Sequence, residues 1–113
     1  MTGTVTSKDG ITIRLTDERW AHIAEEHGEL QDLESKVLDA IASPVRVFKG
    51  NEGESLAVGE LDLGEYVVVV YRELEDDGFV ITAFVTRRIK SLERGNSYGH
   101  SEYRRVPQVA TNA

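Results

Sequence analysis

"GFVITAFVTRR", Gly78–Arg88, is a strongly apolar run that finishes in hydroxyls and guanidinium groups. Side chains alternate along a strand. Val80, Thr82, Phe84, Thr86 and Arg88 therefore share one face, and Phe79, Ile81, Ala83, Val85 and Arg87 share the other. The second set is the more apolar and is assigned to the core beneath the helices. The first set then presents Thr82, Thr86 and Arg88 around one phenyl ring, a row able to hold a phosphate and stack a base. The same residues also suit an ordinary strand emerging into water, because threonine favours strands and arginine often ends them.

The strand before it, "YVVVVYRE" (Tyr66–Glu73), is the most apolar segment in the chain and reads as central. Tyr71 and Arg72 point to opposite faces, and alternation alone leaves open which of them joins Thr82. Arg72 would stabilise charge near a phosphate, and Glu73, on the side of Tyr71, could act as a base. The link "LEDDG" allows either a tight Asp77-Gly78 turn or a longer loop.

Further out, "VRVFKG" and "SLAVGEL" are strands joined by "NEGE". Before Pro44 the period is helical. Leu30, Leu33, Val37 and Ile41 stripe a helix over about 31–42, with Leu38 widening its face. Trp20, Ile23, Ala24 and His27 stripe an earlier one, with Thr16 as N-cap and Gly28 as a left-handed stop. "ITIRLT" supplies a short N-terminal strand, Ile11–Leu15. The expected fold is α+β: two N-terminal helices packed on one face of an antiparallel sheet of about four strands.

The 113 residues suit a single domain, 1–113, with its core over 11–88. Residues 89–113 read as a basic, mobile C-terminal segment. Net charge is −7, yet residues 86–113 hold six Lys/Arg against two Asp/Glu, leaving −11 on residues 1–85. A basic end on an acidic body suits an anion-binding edge or a tail folded against its own acidic surface. Cysteine is absent, which excludes disulfides, thiolate metal ligands and cysteine nucleophiles. The polar start "MTGTVTSKDG" is no secretory core, and "YVVVVY" is too short to span a bilayer, so a cytoplasmic protein without a membrane partner is expected.

His22 and His27 stand five residues apart, about 140° around a helix, so they do not make a two-histidine metal clamp. His27 follows the apolar stripe to the helix end. There a partly buried capping role and a proton-transfer role are both open. His100, in "GNSYGHSEYRRV", belongs to the tail. The chain carries neither a phosphate-binding glycine loop nor a GxSxG elbow.

"ITIRLTDERWAHIAEEHGEL", "IASPVRVFKG", "YVVVVYRE" and "GFVITAFVTRR" together resemble the compact nuclease fold shared by barnase, EndoU, the tRNA-cleaving colicins and the RelE-type toxins (the BECR fold). The likeness is to its phage- and toxin-associated branch and spans about residues 11–88; the tail is loosely similar to BrnT-like toxins. The resemblance implies a metal-independent endoribonuclease, without cofactor, that cleaves RNA by attack of a 2′-hydroxyl on the adjacent phosphate. It makes His22, His27, Thr82 and Arg88 the catalytic candidates and Arg87 a substrate contact, to which the strand reading adds Arg72 and Thr86. It also implies a neutralising antitoxin as protein partner. The rival expectation is a catalytically inactive module of the same fold that binds a protein, a second copy of itself or a small anion.

Overall fold

A computed structural model describes residues 3–62 and 64–87. In chain order the elements are β1 (Gly3–Thr6), β2 (Thr12–Leu15), α1 (Asp17–Glu26), a 3-10 turn (Gly28–Leu30), α2 (Glu34–Ala42), β3 (Arg46–Lys49), β4 (Ser55–Asp62), β5 (Glu65–Glu73) and β6 (Asp77–Thr86). The strands form one sheet in the order β1-β2-β6-β5-β4-β3. All neighbours are antiparallel except β2 and β6, which run parallel with Ile13 opposite Gly78. Arg88 and the tail, including His100, lie outside the described residues, as does the expectation of mobility there.

The expected antiparallel sheet of about four strands is therefore corrected to a six-stranded mixed sheet. β1, "GTVT", is too short and polar to show apolar alternation, and pairing with β2 from Gly3–Leu15 to Thr6–Thr12 defines it. β2 docks on a strand more than sixty residues away, and periodicity carries no information about such a partner. The α+β class and the packing of both helices on one face agree with the expectation. No helix among the described residues is long and apolar enough to cross a membrane.

Local chemistry explains the helix ends. Thr16 Oγ1 accepts from the Arg19 amide at 3.1 Å, and Asp17 and Glu18 sit at the positive end of α1. The helix stops at His27, whose amide donates to the Ile23 carbonyl. Gly28 does not take the expected left-handed conformation. It opens the 3-10 turn, closed by Leu30 N–H to His27 C=O at 2.9 Å, and this delays α2 to Glu34.

The sheet separates two apolar clusters. On the helix face Ile13, Leu15, Val67, Val69, Tyr71, Val80 and Ala83 pack with Ile23, Leu30, Val37 and Ile41. On the far face Leu56, Val58, Val68, Val70 and Phe84 form a second cluster, with Phe48, Tyr66 and Ile81 at its margin. A bulge in β6 distributes these side chains. Val70 pairs with Thr82 and Tyr71 with Val80, leaving Ile81 as an extra residue. Val80 therefore faces the helices, while Phe79 and Ile81 face the other way, the reverse of strict alternation along the whole strand. Thr82, Phe84 and Thr86 keep the expected side. The Asp77-Gly78 pair is in β6, not a turn; the hairpin closes through Leu74–Asp76, with Leu74 N–H donating to Asp77 C=O.

Gly78 sits where β2, β5 and β6 meet. A Cβ there would stand 2.3 Å from the Arg72 carbonyl oxygen and 2.8 Å from Ile13 Cδ1. Gly28, by contrast, has no atom within 4 Å of that position. Gly78→Ala should lower unfolding free energy by about 1–3 kcal/mol through overpacking. Gly28→Ala should leave it unchanged or raise it by about 0.4–1 kcal/mol. Urea titration of the two variants checks both.

Candidate functional site

The residues singled out from the sequence divide between the two faces of the sheet. His22 is exposed on α1. His27 caps the same helix, on the side occupied by the helix-face core. Thr82 and Thr86 are 2% and 5% exposed and share the far face with Val70 and Tyr66, their cross-strand partners. A full sheet thickness thus stands between the helix that bears His22 and His27 and the row of Thr82 and Thr86. Arg87 is exposed, with Nη2 3.6 Å from Glu65 Oε2. Arg72 lies on the far face, which answers the question left open by alternation, and its Nη2 donates to the Glu52 carbonyl at 2.9 Å.

What the structure does bring together is a row that the sequence did not point to. Phe79 pairs with Arg14 on the parallel neighbour β2 and with Arg72 on the antiparallel neighbour β5. Cross-strand partners share a face and stand about 5 Å apart. A phenylalanine is thereby set between two arginines on three adjacent strands. Phe79 is 39% exposed, large for an aromatic residue in an inner strand, and the Arg14 side chain is 48% exposed. Arg14 is oriented by Asp77, Nη1 to Oδ2 at 2.5 Å, and Arg72 by the β3–β4 turn. Each guanidinium has five N–H donors, so these bonds leave capacity for an anion. The signal in the sequence was the polar Arg14 within "ITIRLT"; it had no meaning until β2 was placed beside β6.

His27 is the other group with unusual chemistry. Its side chain is 17% exposed, its buried Nε2 has no hydrogen-bond partner, and its Nδ1 is 3.8 Å from Glu29 Oε2. Burial pushes its proton affinity down, with Glu29 and then Glu26 opposing the shift. At the lower end of the helix face a separate polar network ties the strands together. Lys49 Nζ donates to Ser55 Oγ at 2.9 Å, Ser55 hydrogen-bonds Tyr71, and Ser7 Oγ donates to Glu73 Oε2 at 2.5 Å. Burial raises the Tyr71 phenol further above its usual range, with Glu73 and Asp9 adding to the effect. Glu73 is thus occupied in holding the β1–β2 turn and is not a free base.

The sign of the His27 shift defines a pH effect. The unfolded chain takes up this proton near the ordinary value of about 6.5, and the folded chain only at lower pH. Stability held by neutral His27 is complete above about pH 6.5 and declines as pH falls through the folded value. An NMR titration should give His27 a midpoint below about 6.5. Between about pH 7 and 5 the wild type should lose more stability than His27→Gln, as followed by urea unfolding. Comparison of the chain with protein-family models, with curated proteins and with solved structures returned no match.

Proposed function

We propose that this protein is an RNA-directed module of the compact endoribonuclease type that its motifs resemble, and that it grips single-stranded RNA on the Arg14–Phe79–Arg72 row. The observation that carries this reading is the exposed ring of Phe79 flanked at one register by two guanidinium groups. A base stacked on such a ring contributes about 1–3 kcal/mol, with little regard to its identity. The arginines on either side take the phosphates that bracket it, as planar forks suited to paired phosphate oxygens. A chain of net charge −7 repels RNA as a whole, so binding depends on these few local contacts and is modest and salt-sensitive.

His27 favours a second reading, in which RNA is cleaved on the helix side of the sheet, apart from the Arg14–Phe79–Arg72 row. Attack of the 2′-hydroxyl on phosphorus requires a base for the hydroxyl proton and an acid for the departing 5′-oxygen. An imidazole held neutral near pH 7, with Nδ1 beside the half-exposed Glu29 carboxylate, suits the first of these tasks, and the imidazolium so formed or water returns the proton to the 5′-oxygen. His27 stands on the helix side of the sheet. Thr82 takes no part in this version of the chemistry.

Fluorescence anisotropy with a labelled single-stranded RNA tests the binding. Phe79→Ala should weaken it by about 1–3 kcal/mol. Arg14→Ala and Arg72→Ala should each flatten the slope of log K against log salt by about 0.7. Absence of binding at low salt, or three variants indistinguishable from wild type, would remove the RNA reading. Incubation with total RNA in EDTA tests the cleavage: fragments should form with wild type and not with His27→Ala. If the RNA stays intact with wild type, only the binding module remains.

A further inference from the structure

β4 outruns the strand beside it. Its ladder with β3 extends from Ser55–Lys49 to Val58–Arg46, while β4 itself continues to Asp62. The cause is local: the chain reaches β3 from α2 through Ser43 and Pro44, and proline has no N–H to give a ladder. Val45 N–H donates to Val58 C=O at 2.8 Å, so Val58 turns its backbone groups toward β3. Backbone direction alternates along a strand, and Glu60 therefore turns its own to the same side. Among the described residues no strand lies along that side of 59–62. A bare edge of this kind is a template for one more strand.

Beside the bare edge a groove of about 380 Å³ opens between α2 and β4. Ala40, Gly59, Leu61 and Val67 give it apolar walls, and Val45, 60% exposed, stands at its side. Its charge is acidic: Asp39 and Glu60 line it and Asp62 follows on the same strand, against Lys36 alone among the lining cations. Arg46, at the start of β3, lies over the Phe48 ring, 5.7 Å from its centre.

We infer that this edge docks a protein partner by strand addition, the partner supplying an extended segment that alternates apolar and basic side chains. The backbone groups of Glu60 require an extended occupant. On an added strand, the side chain opposite Gly59 points to the helix side, into the groove, and the one opposite Glu60 points the other way, beside its carboxylate. Apolar groups thus suit the first position and a cation suits the second. A second copy of the chain does not fit. Pairing two 59–62 edges would set Glu60 and Asp62 of one copy against the same carboxylates of the other, and like charges directly opposite destabilise a ladder. The edge lies across the sheet from the Arg14–Phe79–Arg72 row and on a different strand, so the inference does not rest on RNA being a ligand.

The test is an NMR titration of the isotope-labelled full-length protein with the capped peptide Val-Lys-Val-Lys-Val-Lys, and with Val-Glu-Val-Glu-Val-Glu as its acidic counterpart. With the basic peptide, the amide signals of Val45, Gly59, Glu60 and Leu61 should shift together, and the Glu60 amide should exchange with solvent more slowly. The acidic peptide should leave them unmoved. Glu60→Lys, at an exposed position, should weaken the basic peptide by about two- to tenfold, the scale of a cross-strand charge pair, and admit the acidic one. No shift at millimolar peptide, shifts without slower exchange at Glu60, or equal binding of both peptides by the wild type would overturn the inference. So would a Glu60 amide already protected in the free protein, because a second copy or the chain itself would then hold the edge.

Discussion

The residue that β6 inserts opposite Val70 and Tyr71 determines what each side of the sheet receives. Below the bulge Phe79 faces away from the helices and Val80 faces them; above it Ala83 and Val85 take the helix side, and Phe84 and Thr86 the other. A shift of one residue in a strand exchanges its faces, so a single insertion puts Val80 on the helix side while Thr82, Phe84 and Thr86 stay on the other. Val80 would otherwise be spent on the face that Phe84 already fills, and Phe79 would press into the helices. Gly78 makes the arrangement sterically possible, because β2, β5 and β6 converge there too closely for any side chain.

Two cores follow from this distribution, with different boundaries. The helix-face core is closed by α1, α2 and the 3-10 turn, and its lower edge is sealed by hydrogen bonds in which Ser7, Glu73, Ser55, Tyr71 and Lys49 satisfy one another. Such groups are costly to bury singly and tolerable when paired. The far-face core is apolar at its centre, with Thr82 and Thr86 the buried polar residues on β6 beside it. Each of its five main side chains contributes about 1.5–3 kcal/mol when buried.

The separation of His27 from Thr82 by the sheet changes what an anionic substrate would meet. The far face offers guanidinium groups and an aromatic ring; the helix face offers an imidazole. The basic, aromatic row and the buried imidazole therefore belong to different surfaces of the sheet. With a net charge of −7, the overall field opposes any polyanion, and only a small basic, aromatic row runs against it.

Helical and strand periods, a threonine N-cap, and the central place of "YVVVVYRE" were all legible in the residues, because each depends on neighbours a few positions apart. Residue chemistry alone also marked Arg72 and His27 as groups to watch. The parallel pairing of β2 with β6, the existence of β1, the bulge and the Arg14–Phe79–Arg72 row were decided only in three dimensions. Each of these joins segments more than sixty residues apart, or depends on backbone pairing that a local pattern does not record. Local sequence determined which elements form and which side chains are chemically able; the register between distant strands decided which of those side chains meet.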